Sequence, residues 1–384
     1  MFIVIFFLLS CFNFSYAQGL DPYDLPESSV DLGKADQDQF ENQQDELDLY
    51  EEYKPKQQGG FVNTGFMFFP FYNRVDGETT AYGIDSMYYF RRSKEPPLSK
   101  PSYFRGAISA GKDSYTSIYV AHNNYWKQES NNIYGAVGFE RRRALYYQPL
   151  TQDPMFLGDY RLSQTDLNVI YRQKFSKLSY IGIKFDLNNS QVSSASSNFY
   201  GLNDGLVSGL GLVWSSLEPG GLFSTLRSFD FELDNTFYLS YFGSDYNFGV
   251  HSIDIRENIF IANSHVLLLR FYGRFMSGEP PYFSLSSVGE MFRAYSTDRY
   301  RDRHFMGLNA EYRLSLVSVI TLKGFFGVGY HSSKFSKFRL NSGLPCYGGG
   351  LSFVLNRELG INAGFEYLAG KDSRGVFFGV GENY

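Results

Sequence analysis

Short segments in which apolar and polar residues alternate make up most of the chain from Phe61 onward. The clearest begins at Phe305, where one face would carry Met306, Leu308, Ala310, Tyr312, Leu314 and Leu316, and the other Phe305, Gly307, Asn309, Glu311, Arg313 and Ser315. A period of two predicts a β-strand with one apolar and one mostly polar face. Because polar residues recur on one face of strand after strand, the pattern favours a membrane barrel with a wet lumen. A soluble all-β sandwich is the alternative.

Sixteen segments fit this description. They are 78–91, 101–111, 114–125, 132–143, 162–175, 177–188, 205–216, 225–241, 246–261, 264–277, 281–291, 304–316, 318–331, 344–356, 359–369 and 374–384. An even number of antiparallel strands, with both termini on the same side, is typical of bacterial single-chain barrels. The stretch from Gly65 to Pro70 also resembles a strand, but a proline breaks a central ladder. We therefore expect this stretch to lie against the periplasmic end of the barrel.

The charged residues predict which face points inward. In the segment 264–277, Arg270 and Arg274 alternate with Leu269 and Phe271. An arginine or lysine facing lipid near the bilayer midplane costs roughly 2–4 kcal/mol. The charged faces should therefore line the interior, with charges of both signs.

Composition agrees with this reading. Tyr, Phe and Trp make up 18% of the chain, and there are 38 glycines, which suits aromatic girdles and bent strands. After residue 17 no apolar run approaches the roughly 20 residues of a spanning helix. If the chain lies in a membrane, it must do so as closed β-structure.

The N-terminus predicts export. Residues 1–17 form an apolar run ending in Ser15-Tyr16-Ala17, which reads as a signal peptide cleaved after Ala17. A lipoprotein site at Cys11 is the alternative. Cleavage after Ala17 leaves Cys346 as the single cysteine, and an intramolecular disulfide is then impossible.

Residues 18–60 form a separate acidic region. It holds three lysines and twelve acidic residues, a net charge of −9; since the chain carries −5, the remainder carries +4. With little periodic hydrophobicity, this tail is expected to be disordered in the periplasm. It either binds a periplasmic protein or remains solvated.

A family resemblance rests on three motifs. They are Phe292-Arg293-Ala294-Tyr295, Arg299-Tyr300-Arg301-Asp302 and Asn309-Ala310-Glu311-Tyr312-Arg313. In this order they resemble the inward-folded loop and following strand of the BamA/TamA outer-membrane superfamily, the bacterial surface antigen family. Ala294 stands where the family usually has glycine. The resemblance runs from about Ala81 to Tyr384 and implies that residues 61–384 form an outer-membrane barrel with an extracellular loop folded into it.

The resemblance also implies a role for Arg293, because the loop arginine of the family reaches through the lumen to an acid in a Phe-x-Asp-x-Gly motif. Here that motif corresponds to Phe325-Phe326-Gly327-Val328-Gly329, which has no acid. Glu311 and Glu366 are the candidate partners, with Arg313 beside Glu311 on the same predicted face. The alternative is an Arg293 solvated in a wide lumen. Family members usually carry folded periplasmic POTRA modules, and residues 18–60 are too short and too polar for one, so this would be a short member without them.

The sequence points away from catalysis. The five histidines have no metal-ligand spacing, and the glycine clusters lack the strand-to-helix setting of a phosphate loop. No metal, cofactor or nucleic acid is expected, and the expected partner is outer-membrane lipid. By resemblance, the protein would assist insertion or translocation of other proteins at the outer membrane. A gated pore for small solutes and a structural surface antigen are the two rivals.

Overall fold

The computed structural model describes residues 61–75, 80–92, 101–127, 129–176, 179–193, 199, 201–216, 229–262, 264–317, 319–356 and 361–380. All of them belong to one compact unit, Gln57–Tyr384. The predicted signal peptide (1–17) and acidic tail (18–60) lie outside the described residues and stay predictions.

The described residues form eighteen strands. They are β1 (Phe61–Val75), β2 (Ala81–Arg92), β3 (Ser102–Gly111), β4 (Thr116–Trp126), β5 (Asn131–Tyr147), β6 (Phe156–Lys174), β7 (Ser179–Ser193), β8 (Gly205–Ser216), β9 (Phe229–Tyr238), β10 (Phe248–Ala262), β11 (His265–Gly278), β12 (Ser286–Ser287), β13 (Arg301–Asp302), β14 (His304–Val317), β15 (Ile320–Ser332), β16 (Leu344–Asn356), β17 (Ile361–Gly370) and β18 (Arg374–Val380). Single turns of 3-10 helix occur at Ser240–Phe242, Tyr282–Ser284, Val288–Glu290, Phe335–Lys337 and Leu340–Ser342.

Sixteen of these strands form one closed antiparallel barrel, in which β1 pairs with β18 and β11 pairs with β14. The remaining two, β12 and β13, form a separate two-stranded sheet within the β11–β14 connection. The predicted sixteen-stranded antiparallel barrel is thus confirmed. Closure matters because a closed sheet leaves no row of unpaired backbone groups exposed to lipid.

The two faces of the strands differ as the alternation predicts. On β17, Phe365 and Tyr367 are exposed, whereas Glu366 between them is buried. On β14, Leu308 is exposed and Glu311 is buried. Exposed apolar side chains outside and buried charges inside reverse the usual order of a soluble protein. This arrangement suits a barrel whose outer solvent is hydrocarbon.

Two strand assignments were wrong, and their errors cancelled in the count. The segment 281–291 is no barrel strand: it holds two 3-10 turns and β12. The stretch from Gly65 to Pro70, expected against the periplasmic end, instead lies within the first barrel strand, where Pro70 pairs in register with Ile84 of β2. A proline is tolerated there because β1 is registered with β18 only from Tyr72 onward among the described residues.

Because neighbouring strands are antiparallel, successive connections lie alternately at the two rims of the barrel. The start of β1 and the end of β18 lie at one rim, so the β11–β14 connection lies at the opposite rim. Among the described residues, no helix is long and apolar enough to cross a membrane.

The role of β1 generates a prediction. Deleting residues 61–75 should abolish the fast-migrating, heat-modifiable form on a gel, because β2 and β18 would both be left as open edges. Unheated and heated samples of the refolded chain provide the measurement. Deleting residues 18–58 is the matched control and should leave the fast form intact. A fast form that survives loss of 61–75 would show that β1 is dispensable for closure.

Candidate functional site: the segment between β11 and β14

The longest connection in the described barrel joins β11 to β14, and we name residues 279–303 the crossing segment. Its two ends are held side by side by the β12–β13 pair, in which Ser286 faces Asp302. Between them Ser287 and Glu290 form a reciprocal capping box: the Gly289 N–H donates to Ser287 Oγ (3.2 Å), and the Ser287 N–H donates to Glu290 Oε1 (3.0 Å). This box satisfies backbone donors that would otherwise be buried unpaired.

Glu290 also fastens the segment to the barrel wall. Its Oε2 accepts a hydrogen bond from Arg274 Nη1 of β11 at 2.9 Å. The carboxylate therefore serves the turn and the wall together.

The Phe292 ring packs against three glycines, Gly307, Gly327 and Gly329, which we name the glycine seat. A Cβ atom added to Gly327 would lie 2.4 Å from Phe292 Cε1, and one added to Gly307 or Gly329 would lie 2.9 or 3.0 Å from Phe292 Cε2. Any side chain there would displace the ring. Gly327 is the position that corresponds to the acid of the Phe-x-Asp-x-Gly motif in the family that the sequence resembles, and here it contacts the Phe292 ring.

Arg293 pairs with Glu366 on β17. Its Nη2 donates to Glu366 Oε2 at 3.1 Å, and its guanidinium lies 4.8 Å from the centre of the Phe377 ring on β18. Lys323 Nζ lies 3.7 Å from the other Glu366 oxygen. Glu311, the second candidate partner, accepts instead from Arg313 Nε at 2.6 Å.

Ala294 and Tyr295 complete the motif. Ala294 is fully buried, and the Tyr295 ring lies against Gly370, where an added Cβ would be 2.5 Å from its Cζ. The Tyr295 hydroxyl donates to the Pro345 carbonyl and accepts from the Lys371 N–H at 2.8 Å. The side chain thus joins the crossing segment to the top of β16 and to the β17–β18 turn.

At its other side the segment is tied to β5. Asp298 accepts two hydrogen bonds from Arg142, at 2.6 and 2.8 Å, and one from the Leu145 N–H at 3.0 Å. Burial acts to raise the pKa of Asp298, but Arg142, Arg301 and the Leu145 N–H together outweigh burial and hold that pKa below its ordinary value. The tether is therefore present at neutral pH and is lost only as pH falls through the depressed pKa.

These contacts join distant parts of the ring. β5 and β17 lie six positions apart in the closed order of sixteen strands, yet Asp298 reaches one and Arg293 the other. Apolar contacts follow the same division: Tyr282 and Leu285 pack in a cluster with Tyr146 of β5, whereas Phe292 and Tyr295 pack in a second cluster with other strands. The segment therefore connects two sides of the wall.

A cavity of about 240 Å³ remains beside the segment. Its polar lining includes Glu290, Arg293, Asn309, Glu311 and Glu366. Glu311 and Glu366, which the sequence offered as alternatives, thus both face the space beside Arg293.

The sequence missed one anchor of the segment, the ion pair between Arg142 and Asp298. Residues Arg142 and Asp298 are 156 positions apart, and nothing local connects them. The glycine seat left a weak signal, since Gly327 and Gly329 alternate on one face of β15 and Gly307 lies on its neighbour.

The fold and the inward charges define a transmembrane β-barrel. No protein-family model and no curated protein sequence matches the chain. The chain is similar to the structure of BamA from Haemophilus ducreyi lacking POTRA domains 1-3 (TM-score 0.53, 8% identity, 83% of this chain and 70% of that one). It is also similar to CdiB from Acinetobacter baumannii (TM-score 0.55, 11% identity, 82% and 59%) and CdiB from Escherichia coli (TM-score 0.53, 11% identity, 82% and 62%).

The chain thus spans less than two thirds of either CdiB chain. Similarity at such low identity establishes the fold: the chain has the barrel architecture of BamA and CdiB.

The glycine seat generates a prediction. Gly327→Val should expel Phe292 and expose residues 279–303 to trypsin, at a cost of about 1–3 kcal/mol of folding free energy from overpacking. Gly324→Val on the same strand is the matched control, because a Cβ atom added to Gly324 would have no heavy atom within 4 Å. Phe292→Ala in the Gly327→Val background should recover part of the stability. Equal trypsin sensitivity of the two glycine variants would contradict the seat.

The ion pair between Arg293 and Glu366 generates a second prediction. Arg293→Ala should raise the single-channel conductance of the barrel in a planar bilayer, or its fluctuation, because one anchor of the crossing segment is lost. We expect a stability loss of about 1–3 kcal/mol, below the 3–5 kcal/mol of a fully buried pair, since the Arg293 side chain is 29% exposed.

Combining Arg293→Glu with Glu366→Arg should restore quiet, low conductance, and either change alone should not. Arg339→Ala removes an exposed arginine from the β15–β16 connection and is the control. Unchanged conductance and unchanged trypsin sensitivity in Arg293→Ala would show that another contact holds the segment.

Proposed function

We propose that the protein is an exported outer-membrane barrel that assists the insertion or translocation of other proteins at that membrane. The observation that carries the proposal is the seam between the first and last strands. β1 and β18 are registered at four residue pairs, from Tyr72–Phe378 to Val75–Gly375, within the described residues. Every other neighbouring pair of barrel strands has at least seven.

A short seam leaves backbone groups available. At Pro70 and Phe71, β1 is registered with β2 but not with β18, although Gly379 and Val380 at the end of β18 are described. An unpaired strand edge is a template for another strand, and each backbone hydrogen bond contributes only about 0.5–1.5 kcal/mol net. The seam is therefore the place at which the wall opens at least cost and at which a client strand would be received.

The crossing segment reaches this seam, which supports a coupled role. Arg293 contacts Phe377, and a Cβ added to Gly375 would lie 2.9 Å from the Arg293 carbonyl oxygen. Phe377 and Gly375 both belong to β18. In this proposal the segment is the inward-folded extracellular loop, and Phe292, Arg293, Ala294 and Tyr295 hold the last strand in place from inside while its outer edge remains weakly paired.

A gated solute pore is the second candidate. The inward faces away from the segment carry ion pairs such as Lys184–Asp234 (2.6 Å) and Arg172–Glu232 (2.7 Å), which would suit ions in a wet lumen. The crossing segment then acts as the gate. Large, voltage-dependent conductance of the unaltered barrel would favour this function over insertion.

Locking the seam tests the proposal. Cysteines at Tyr72 and Phe378, which are registered partners, should form a disulfide across β1 and β18. If lateral opening is required, cells that depend on this variant should contain at least about twofold less of other barrel proteins in the outer membrane, and a reductant should restore them. Proteomics of the outer-membrane fraction gives the measurement.

The control places cysteines at Ile84 and Ile108, registered partners across β2 and β3, where a disulfide should change nothing. Cys346 is buried and does not compete. Normal outer-membrane composition with a fully oxidised seam would exclude insertion through this seam and leave the pore or a structural surface role.

A further inference from the structure

The outer face of β5 changes from apolar to cationic toward the rim remote from the termini. Its outward positions from Ile133 are, in order, Ile133, Gly135, Val137, Phe139, Arg141 and Arg143, and Leu145 follows them on the same face. On β6 the outward positions run in the opposite chain direction from the apolar Tyr171, Val169 and Leu167, through Thr165 and Ser163, to Arg161. Arg141, Arg143 and Arg161 are all exposed, and we name them the arginine patch.

Two of the three arginines face each other directly. Arg143 and Arg161 are registered partners across β5 and β6, and Arg141 is registered with Ser163, one step away on the same face. Directly opposite side chains have Cβ atoms about 5 Å apart, and diagonal neighbours about 7–8 Å. Like charges directly opposite each other destabilise a sheet. The arrangement therefore has a cost that a bound anion would remove.

The protein supplies only part of the counter-charge. Arg143 Nε donates to Asp159 at 2.8 Å, and Arg143 lies 4.0 Å from Asp113. Within the described residues, neither Arg141 nor Arg161 forms an ion pair with a carboxylate.

The height of the patch identifies its surroundings. Arg141 follows Phe139 by two residues, a rise of roughly 7 Å along a strand. The apolar positions from Ile133 to Phe139 span roughly 20 Å along the strand, which is roughly 15 Å along the membrane normal at the usual strand tilt. The arginines thus lie beyond the apolar stretch of their own strand, toward the rim remote from the termini.

We propose that the arginine patch binds the phosphate groups of a lipid in the leaflet at this rim. A guanidinium group presents paired donors that match phosphate oxygens. We commit to a lipid because the outward apolar side chains of Val137, Phe139 and Leu167 continue the same surface below the arginines and would contact its acyl chains. The inference rests on the membrane placement in the proposed function and is independent of any insertion role.

Lipid binding to the purified barrel tests it. Lipid A, a diphosphorylated glycolipid, should remain bound in native mass spectrometry, and Arg141→Gln with Arg161→Gln should weaken binding by about thirtyfold, from the usual contribution of an arginine near a charged membrane surface. Lys334→Gln with Lys337→Gln removes two exposed lysines near the same rim and should leave binding unchanged. Equal binding by the arginine variant would overturn the proposal.

The source of the phosphate is distinguished in the same assay. Phosphatidylcholine and lipid A stripped of its phosphates should not be retained, and inorganic phosphate at equal concentration should not displace lipid A. Displacement by inorganic phosphate would show a free-anion site and overturn the lipid assignment. Retention of dephosphorylated lipid A would show that the acyl chains alone bind.

Thermal unfolding gives a second, opposite-signed readout. In lipid-free detergent Arg161→Gln should raise the Tm, because the repulsion with Arg143 is removed. With lipid A present the unaltered protein should gain Tm and the variant should gain less. A variant that is less stable in both conditions would overturn the patch as a site, while normal outer-membrane fractionation of that variant would leave the proposed function standing.

Discussion

Backbone hydrogen bonding in an apolar solvent is the constraint on which the rest of this structure depends. Hydrocarbon offers no partner for an unpaired N–H or C=O group, so strands can span a membrane only when their sheet closes. The sixteen strands close through β1 and β18. Among the described residues, this closure has four registered pairs, the fewest of any neighbouring pair of barrel strands. The same constraint thus creates the barrel and places its seam.

Closure forces charged side chains inward, and the crossing segment makes use of them. Asp298 meets Arg142 of β5, and Arg293 meets Glu366 of β17. In each ion pair the attraction between the two charges offsets the cost of removing them from water. An isolated buried charge would have no such compensation. Because the two anchors lie on separated strands, loosening one leaves the segment attached at the other.

The comparison between sequence and structure is clearest at β1. Its outward and inward positions are both apolar, with Phe66 and Phe68 outside and Met67 and Phe69 inside, so the alternation that identified the other strands was missing. The opposite error occurred at 281–291, which was predicted as a barrel strand. Its residues are apolar enough for a strand, but they belong to the crossing segment. A period-two pattern identifies a strand whose two faces lie in different surroundings. The prediction fails where both faces are apolar, or where an apolar segment lies outside the barrel wall.

The sequence by itself determined the antiparallel barrel and the inward direction of the charged faces, because the alternation of apolar and polar residues is a local property of the chain. Only the tertiary structure decided that Glu366 rather than Glu311 pairs with Arg293, that Gly307, Gly327 and Gly329 seat one phenyl ring, and that Asp298 meets Arg142. Those pairings join residues far apart in the chain. Which of them come within hydrogen-bonding distance depends on the register of every strand between them, and that register is fixed only when the barrel closes.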